Sequence, residues 1–130
     1  MIISIGIDII EVARIRQTIE RTPRFVTRVF TQREIDYCDS KNAVRANSYA
    51  ARFAAKEATL KALKTGWRGA ISWHDVEICN DANGAPFLEI RNAARQIFDD
   101  SGANKIHLSM SHTNEHAIAT VILEQLKVEN

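Results

Sequence analysis

The first ten residues alternate between large apolar side chains and small or acidic ones. Isoleucines occupy every second position from Ile3 to Ile9, and Ser4, Gly6 and Asp8 lie between them. This period of two predicts a half-buried strand. Asp8 then projects from the face opposite the isoleucines, because successive side chains of a strand point to opposite faces.

After this strand, the apolar spacing changes to that of a helix. Apolar residues three or four positions apart from Val12 to Ile19 share one face, and Arg14 and Arg21 lie seven residues apart on another. Pro23 interrupts the pattern. The sequence therefore predicts an amphipathic helix with a basic stripe.

Two further helices are predicted in the first half of the chain. Residues 31–34, Thr-Gln-Arg-Glu, form a capping-box pattern, which predicts a short helix that ends near Asp39. The strongest helical pattern begins near Ser48, a suitable N-cap, and continues to a stop at Gly66. This segment is the predicted central helix.

The second half of the chain predicts strands around one more helix. Asn83-Gly84 lies between two alternating segments and is a strong hairpin signal, and Pro86 places the start of the return strand near an edge. The predicted elements are strands near 76–78, 87–90, 106–110 and 117–123 and a helix over 93–101 that Gly102 ends. This order of elements predicts an antiparallel α+β domain.

The composition limits the class of protein. The chain has 130 residues, 45% of them hydrophobic and 25% charged, which predicts a single domain over 1–130 whose core needs no disulfide or metal. Cys38 and Cys79 form no Cys-x-x-Cys pair, so we expect a reducing cytoplasm. No apolar run reaches the roughly 20 residues of a transmembrane helix, so we expect a soluble protein.

Charge is balanced overall but uneven along the chain. The formal net charge of +1 argues against a protein that coats nucleic acid. Between Glu11 and Arg33, however, arginines greatly outnumber acidic residues. This local excess predicts either an acidic partner or a solvated face.

Charged residues of the central helix point to phosphate chemistry. Glu57, Lys61 and Lys64 lie at positions i, i+4 and i+7 and share one face, which alone indicates an ordinary solvated pair. Asp8 changes this interpretation, because a carboxylate on a core strand needs a cation or hydrogen-bond donors, although a structural salt bridge is an equal alternative. Together, Asp8 and Glu57 can hold Mg²⁺, which completes its shell with substrate phosphates that Lys61 also meets. This predicts a phosphoryl-transfer or pyrophosphate-binding site.

A second polar group occurs where a predicted strand meets a turn. Ser111, His112 and Thr113 can contact an anion or a nucleotide there, or can satisfy the backbone of their own turn. Residues 112–116 also match the His-x-x-Glu-His zinc pattern, but that pattern requires a helix. Because strand patterns flank the segment, we predict no zinc site.

Taken together, these motifs resemble the holo-acyl-carrier-protein synthases, the small type of 4'-phosphopantetheinyl transferase. The resemblance covers nearly the whole chain and rests on four segments in order: Gly6-Ile7-Asp8-Ile9 with Glu11 and Arg14, Arg52-Phe53-Ala54-Ala55-Lys56-Glu57-Ala58 with Lys61-Ala62, Asn83-Gly84 with Pro86, and Ser111-His112-Thr113. It implies an α+β fold in which a long central helix packs on a small antiparallel sheet. It also implies that phosphopantetheine passes from coenzyme A to a serine hydroxyl of an apo acyl carrier protein, in fatty acid biosynthesis, with release of 3',5'-ADP.

The resemblance further implies roles for individual residues. Asp8 and Glu57 coordinate Mg²⁺ with the coenzyme A pyrophosphate, Lys61 neutralises the charge that develops there, and the serine proton goes to Glu57 or to a water on the metal. Residues that line the nucleotide part of the site are Arg52, Asn83, Pro86, Ser111, His112 and Thr113. Residues that receive the acidic helix of the carrier protein are Arg14, Arg21 and Arg24. Family members form homotrimers, with each site between Asp8 and Glu57 of one chain and elements of its neighbour.

Two positions depart from the usual pattern of the family. Lys64 replaces a common glycine, so the loop from Lys64 to Gly66 can approach the phosphates with a side chain. Ala85 replaces a basic residue that is often found after the Asn-Gly pair. We expect Lys64 to supply the missing charge.

Two other functions are compatible with the residues. A metal-dependent phosphohydrolase that acts on a nucleotide pyrophosphate could use Asp8, Glu57 and Lys61 without a carrier protein. A module that binds RNA or an acidic protein could use the arginine stripe, but only Phe25 and Phe30 lie within it for stacking. We therefore expect neither nucleic acid nor a membrane among the partners.

Overall fold

A computed structural model describes residues 1–65 and 70–127, in which a first strand is followed by four α-helices, a β-hairpin, a fifth α-helix and two further strands. The elements are β1 (Ile2–Glu11), α1 (Val12–Arg21), α2 (Phe25–Val29), α3 (Gln32–Asp39), α4 (Arg45–Leu63), β2 (Val76–Asn80), β3 (Pro86–Ile90), α5 (Asn92–Asp100), β4 (Lys105–His112) and β5 (His116–Glu124). Short 3-10 turns precede α4 at Asn42–Val44 and β2 at Trp73–Asp75. Among the described residues, no helix is long and apolar enough to cross a membrane.

The strands form two antiparallel sheets. The larger sheet has the order β1-β5-β4, and the smaller one is the β2–β3 hairpin. In the larger sheet Asp8 lies opposite Ala119, and His112 lies opposite Ala117. The predicted α+β class is therefore confirmed, with two small sheets where one was expected.

Helix α4 packs against one face of the larger sheet at very short range. Gly6 of β1 makes this possible, because a Cβ there would lie 2.7 Å from the Ala62 nitrogen and still closer to the Ala58 carbonyl oxygen. Two residues earlier, the Ser4 hydroxyl donates to the Ala62 carbonyl at 2.5 Å. The small side chains of β1 and the alanines of α4 thus form the contact between sheet and helix.

The half-buried β1 is confirmed, but its apolar face is the uncovered one. Ile5, Ile7 and Ile9 are 61%, 53% and 61% exposed, whereas Ser4 and Gly6 are buried. The reason is the close approach of α4, which only the small side chains permit. The isoleucine face is therefore left without a partner from the described part of the same chain.

A second cluster of apolar residues joins the remaining helices to α4. Val12 and Ile15 of α1 pack there with Phe30 and Tyr49, whose ring centroids are 4.9 Å apart. The predicted capping box of α3 is confirmed, with Thr31 as the N-cap. The hairpin and α5 also agree with the prediction, and Gly84 and Gly102 adopt the positive φ angles that their turns require.

The predicted bounds of the central helix need correction at both ends. Helix α4 begins at Arg45, three residues before Ser48, and the Ser48 hydroxyl donates to the Val44 carbonyl at 3.0 Å inside the helix. It ends at Leu63 with Lys64 as its cap, in the left-handed conformation at φ 62° and ψ 29°. Gly66, the predicted stop, lies outside the described residues.

Candidate active site

Asp8 and Lys61 meet where β1 crosses the C-terminal half of α4. Asp8 lies two residues beyond Gly6 and therefore on the same face of β1, toward the helix. The Lys61 Nζ is 2.9 Å from Asp8 Oδ1 and also donates to the Ile7 carbonyl at 3.0 Å. The glycine contact and the strand register thus bring together two of the predicted site residues.

The second carboxylate oxygen of Asp8 is available to coordinate a ligand. Asp8 Oδ2 is buried and has no hydrogen-bond partner, and the Asp8 side chain is 15% exposed. An orphaned carboxylate oxygen is costly in a protein interior and suits a hard divalent cation. Glu57 lies one helical turn before Lys61 on the same face of α4. Asp8 and Glu57 therefore fit the magnesium ion that the sequence predicts.

Lys64 extends this basic face beyond the end of the helix. Its backbone N–H bonds to the carbonyls of Leu60 and Lys61, and its side chain is exposed. A positive φ is unfavourable for a residue with a long side chain. Lys64 is thus held in a strained position one turn beyond Lys61.

Arg52 lies on the opposite side of α4, where its buried side chain lines an open cavity. Its Nη2 donates to Asn80 Oδ1 at 2.6 Å, and its guanidinium lies 3.8 Å from the centre of the Tyr37 ring. The Arg52 Nε is buried without a partner, in a cavity of about 270 Å³ that Arg33 also lines. This cavity can accept an acceptor group such as a phosphate or a ring nitrogen.

The tip of the β2–β3 hairpin lies next to Arg52. Asp81 Oδ1 accepts hydrogen bonds from the backbone N–H groups of Asn83 at 2.8 Å and Ala85 at 2.9 Å. Asn80 Nδ2 donates to the Gly84 carbonyl at 3.1 Å. Asn80 therefore links Arg52 to the turn that carries Asn83 and Pro86, two predicted nucleotide contacts.

The β4–β5 turn places its polar residues at the surface. Ser111 and His112 end β4 exposed, and the Thr113 hydroxyl accepts from the N–H groups of Glu115 at 3.2 Å and His116 at 3.1 Å. Thr113 thus serves its own turn, the ordinary alternative raised by the sequence. Because His112 and His116 lie in different strands, the zinc pattern has no helix to support it.

The basic surface of α1 continues into an apolar cavity. Arg14, Arg21 and Arg24 are exposed on α1 and just after it. Arg14 borders a cavity of about 330 Å³ that Phe25 and Phe53 also line. The centroids of these two rings are 5.8 Å apart, so Arg14, one of the predicted carrier-protein contacts, borders a cavity with two aromatic rings in its lining.

Sequence reasoning missed Tyr37, Asn80, Phe53 and Trp73. Phe53 stacks on Trp73 with centroids 5.3 Å apart, although the two residues are far apart in sequence. Tyr37 and Asn80 likewise reach Arg52 from other elements. Only the position of Asn80 just before the turn signal hints at a role, because the other contacts depend on tertiary packing.

Neither cysteine provides a nucleophile. Burial raises the pKa of Cys38 to about 12 and that of Cys79 to about 11, so both remain protonated thiols at neutral pH. Cys79 lies beside Glu77 and Glu89, an acidic group away from the Asp8 contact. The carboxylate of Glu77 is already engaged by Thr31 and Arg91, so this group is not the predicted magnesium pair.

The sequence profile of the 4'-phosphopantetheinyl transferase superfamily matches residues 4–121. The matched range contains α1, α4, the hairpin, the β4–β5 turn and all but the first two residues of β1, and every predicted site residue lies within it. The chain belongs to this superfamily. Individual relatives show which proteins of the superfamily it is similar to.

Similarity to holo-acyl-carrier-protein synthases extends over nearly the full chain. The chain is 49% identical to the holo-[acyl-carrier-protein] synthase of Koribacter versatilis (strain Ellin345), over 95% of this chain and 99% of the relative. Among solved structures, the holo-(acyl-carrier-protein) synthase of Bacillus anthracis str. Ames, in complex with CoA (3',5'-ADP), superposes with a TM-score of 0.80 at 37% identity, over 97% and 99% of the two chains. The enzyme of Neisseria meningitidis gives a TM-score of 0.84 at 35% identity, over 96% and 100%. The family resemblance and the fold predicted from the motifs are thus confirmed.

Proposed function

We propose that this chain transfers 4'-phosphopantetheine from coenzyme A to a serine hydroxyl of an apo acyl carrier protein and releases 3',5'-ADP. The observation that carries the proposal is the Asp8–Lys61 contact with its orphaned carboxylate oxygen, in a chain of this superfamily. The acceptor would be the carrier protein of fatty acid biosynthesis. The reaction would take place in the cytoplasm, where the two free thiols remain reduced.

Each charged group near Asp8 has a distinct role in this reaction. Asp8 and Glu57 would hold Mg²⁺, which when bound supplies positive charge to the coenzyme A pyrophosphate. Lys61, already fixed by Asp8 and the Ile7 carbonyl, is preorganised to stabilise negative charge on the same phosphates. Glu57 is the group of this chain that we assign to take the serine proton. The nucleophile belongs to the carrier protein.

The test is intact-mass analysis of an apo acyl carrier protein incubated with coenzyme A, Mg²⁺ and this protein. The expected gain is about 340 Da, the increment for phosphopantetheinyl transfer to a hydroxyl. Asp8→Asn should abolish the gain, because the amide keeps the shape but loses the charge. Asp100→Asn, in an exposed residue of α5, is the matched control and should react like the wild type. An active Asp8→Asn protein would contradict the assignment.

The nucleotide of coenzyme A would bind at the Arg52 side of α4. We assign the following residues to the nucleotide: Arg52, Asn83, Pro86, Ser111, His112 and Thr113. Lys64 would instead contact the phosphates at the Asp8–Lys61 end, and Gly66, also predicted to bind coenzyme A, lies outside the described residues. Lys61 follows Arg52 by nine residues, which is two and a half turns of helix and about 14 Å along its axis. Arg52 and Lys61 therefore face opposite sides of α4, so a ligand that contacts both side chains of one chain would have to pass around the helix. This geometry supports sites that two copies of the chain share.

The uncovered isoleucine face of β1 is the surface we assign to assembly. Ile5, Ile7 and Ile9 form an exposed apolar column that continues to Ile118 of β5, 37% exposed. Exposed apolar patches of this kind mark protein interfaces. We propose a homotrimer, which would bring Asp8 of one chain next to Arg52 of another. Ile7→Glu should give a folded monomer in light scattering, and Thr120→Glu in the middle of the same face offers a second position for the same test.

The α1 surface is the docking site that we assign to the carrier protein. Arg14, Arg21 and Arg24 provide charge for an acidic helix, and the cavity lined by Phe25 and Phe53 can accept an apolar side chain. Reversal of charge at Arg14 and Arg21 should raise the KM for the carrier protein and weaken its salt dependence. A phosphohydrolase of small molecules would be insensitive to both changes, so the same experiment separates the two functions.

A further inference from the structure

A fully buried ion pair lies beneath the nucleotide end of the site. The Lys56 Nζ is 2.9 Å from Glu34 Oε1, and neither side chain has exposed surface. Lys56 follows Arg52 by one helical turn and immediately precedes Glu57. The hydrogen bonds of the pair go to backbone groups, away from the side chains to which the reaction is assigned.

The pair connects four elements through these backbone groups. The Lys56 Nζ donates to the carbonyl oxygen of Trp73 at 3.1 Å and to that of Val76. Glu34 accepts from the backbone N–H groups of Thr31 at 2.8 Å and Ile78 at 3.0 Å. One salt bridge therefore holds α4, the start of α3, the 3-10 turn before β2 and β2 itself.

Stability alone gives no reason for this arrangement. Removing two charges from water is costly, and replacing a buried ion pair with apolar side chains of similar volume is often neutral or stabilising. The pair instead determines where β2 lies, because its hydrogen bonds form only when β2 occupies one position on α4. Two residues beyond Ile78, β2 reaches Asn80, which contacts Arg52.

We propose that the Lys56–Glu34 pair is a positioning device, which fixes β2 on α4 so that Asn80 and the hairpin tip meet Arg52 in the geometry that binds the coenzyme A nucleotide. The proposal rests on the proposed function. Lys56 and Glu34 are positioning residues, since they act through Asn80 and Arg52. The side chains assigned to the coenzyme A pyrophosphate lie on the opposite face of α4 and do not depend on the pair. They are Asp8, Glu57 and Lys61.

The test is the double variant Glu34→Gln/Lys56→Met, which removes both charges together. The glutamine amide oxygen can still accept one of the two backbone bonds, from the Thr31 N–H or from the Ile78 N–H, and the other N–H then faces the glutamine amino group and loses its acceptor. The matched control is Thr59→Val, a buried change in the same helix that removes only a bond to the Ala55 carbonyl. Both proteins are compared with the wild type by thermal unfolding, by kinetics with varied coenzyme A, and by calorimetric titration with 3',5'-ADP.

The double variant should remain folded, but its KM for coenzyme A should rise about tenfold, with kcat at saturating coenzyme A within about twofold of the wild type. Its affinity for 3',5'-ADP should fall by about the same factor, and Thr59→Val should change neither quantity. A lower melting temperature with unchanged KM and unchanged 3',5'-ADP affinity would show a purely structural pair and overturn the proposal.

The outcomes also separate this proposal from the proposed function. A wild-type protein that binds neither coenzyme A nor 3',5'-ADP overturns both. A wild type that binds 3',5'-ADP but transfers nothing overturns the proposed transfer, and the affinity comparison then decides the positioning role. If the double variant does not fold, hydrogen exchange of the wild-type Ile78 amide decides instead. Its exchange should slow when 3',5'-ADP binds, and an unchanged rate would overturn the proposal.

Discussion

Gly6 is the residue on which the position of Asp8 depends. In Gly6→Ala, the new Cβ would collide with the backbone of α4 at Ala58 and Ala62, and neither atom can move without displacing the helix. We expect a loss of about 3 kcal/mol in the free energy of unfolding, measured in urea. Transfer activity should also fall, because β1 moves away from α4 and takes Asp8 away from Lys61.

Gly84→Ala is the matched control for this substitution. Gly84 has a φ of 82° with open space around its Cβ position, so alanine there suffers backbone strain without a collision. The expected loss is about 1 kcal/mol. If Gly6→Ala loses no more stability than Gly84→Ala, the close contact of strand and helix does not have the importance assigned to it.

Lys64 has a strained backbone, which lowers stability, but its side chain would add a positive charge to the proposed phosphate site. Lys64→Gly should raise the free energy of unfolding by about 1 kcal/mol, because glycine accepts the left-handed conformation. The same change removes a cation from the proposed phosphate site, so the affinity for coenzyme A should fall about fivefold. Calorimetric titration and urea unfolding of one protein preparation measure both effects.

Lys64→Asn separates charge from strain, because asparagine tolerates the left-handed region but is neutral. It should lose coenzyme A affinity to the same extent as Lys64→Gly, with a smaller gain in stability. Unchanged affinity in both variants would remove Lys64 from the site and leave its strained backbone unexplained.

At the level of elements, Glu77 ties the start of α3 to the hairpin. Burial of Glu77 acts to raise the pKa of its carboxyl, but the Thr31 hydroxyl and the Arg91 guanidinium outweigh it, and the pKa lies below the usual 4.5. Because the folded-state pKa is lowered, this contribution to stability is complete above pH 4.5. It is lost as the pH falls through the folded-state value.

Glu77→Gln should therefore cost about 2 kcal/mol of unfolding free energy at pH 7, since hydrogen bonds to a charged group are lost. The difference from the wild type should shrink as the pH drops below 4.5, which urea unfolding at a series of pH values can show. Glu89→Gln is the control, because Glu89 is 39% exposed and pairs only with Arg91 among the described ion pairs. A constant difference across this pH range would contradict the assigned cause.

Elements with a strong local signal could be predicted from the sequence, and those set by packing could not. The capping box at Thr31, the Asn83-Gly84 turn and the stop at Gly102 each depend on nearby residues, and all three were predicted in the right place. The start of α4 at Arg45 has no side-chain cap, so Ser48 gave a false signal. The face of β1 that is buried depends on Gly6 meeting α4, which no periodicity reveals.

In the candidate site, too, some residues could be predicted from the sequence and others depend on tertiary packing. Asp8, Glu57 and Lys61 could be selected because their residue types and spacing carry the chemistry, and the structure brings Asp8 and Lys61 together. Tyr37, Asn80 and the Lys56–Glu34 pair could not be selected, because each contact joins elements that are distant in sequence. Residues that contact the backbone or each other across the fold leave no local pattern.

At the scale of the whole molecule, the two halves of the proposed site face opposite sides of α4. Asp8, Glu57 and Lys61 form one half, and Arg52 with the hairpin forms the other. If a ring of copies builds each site from the first half of one chain and the second half of its neighbour, defects in different halves can complement each other. Defects in the same half cannot.

Co-assembly of two inactive variants tests this arrangement. Asp8→Asn and Arg52→Met should each transfer poorly alone. In mixed assemblies, a site is intact where a chain with Asp8 meets a neighbour with Arg52, so on the order of a quarter of wild-type activity should return. Asp8→Asn mixed with Glu57→Gln is the matched control and should stay inactive, because every site then lacks one carboxylate. Equal activity of the two mixtures would mean that each chain works alone, and the isoleucine face would need another explanation.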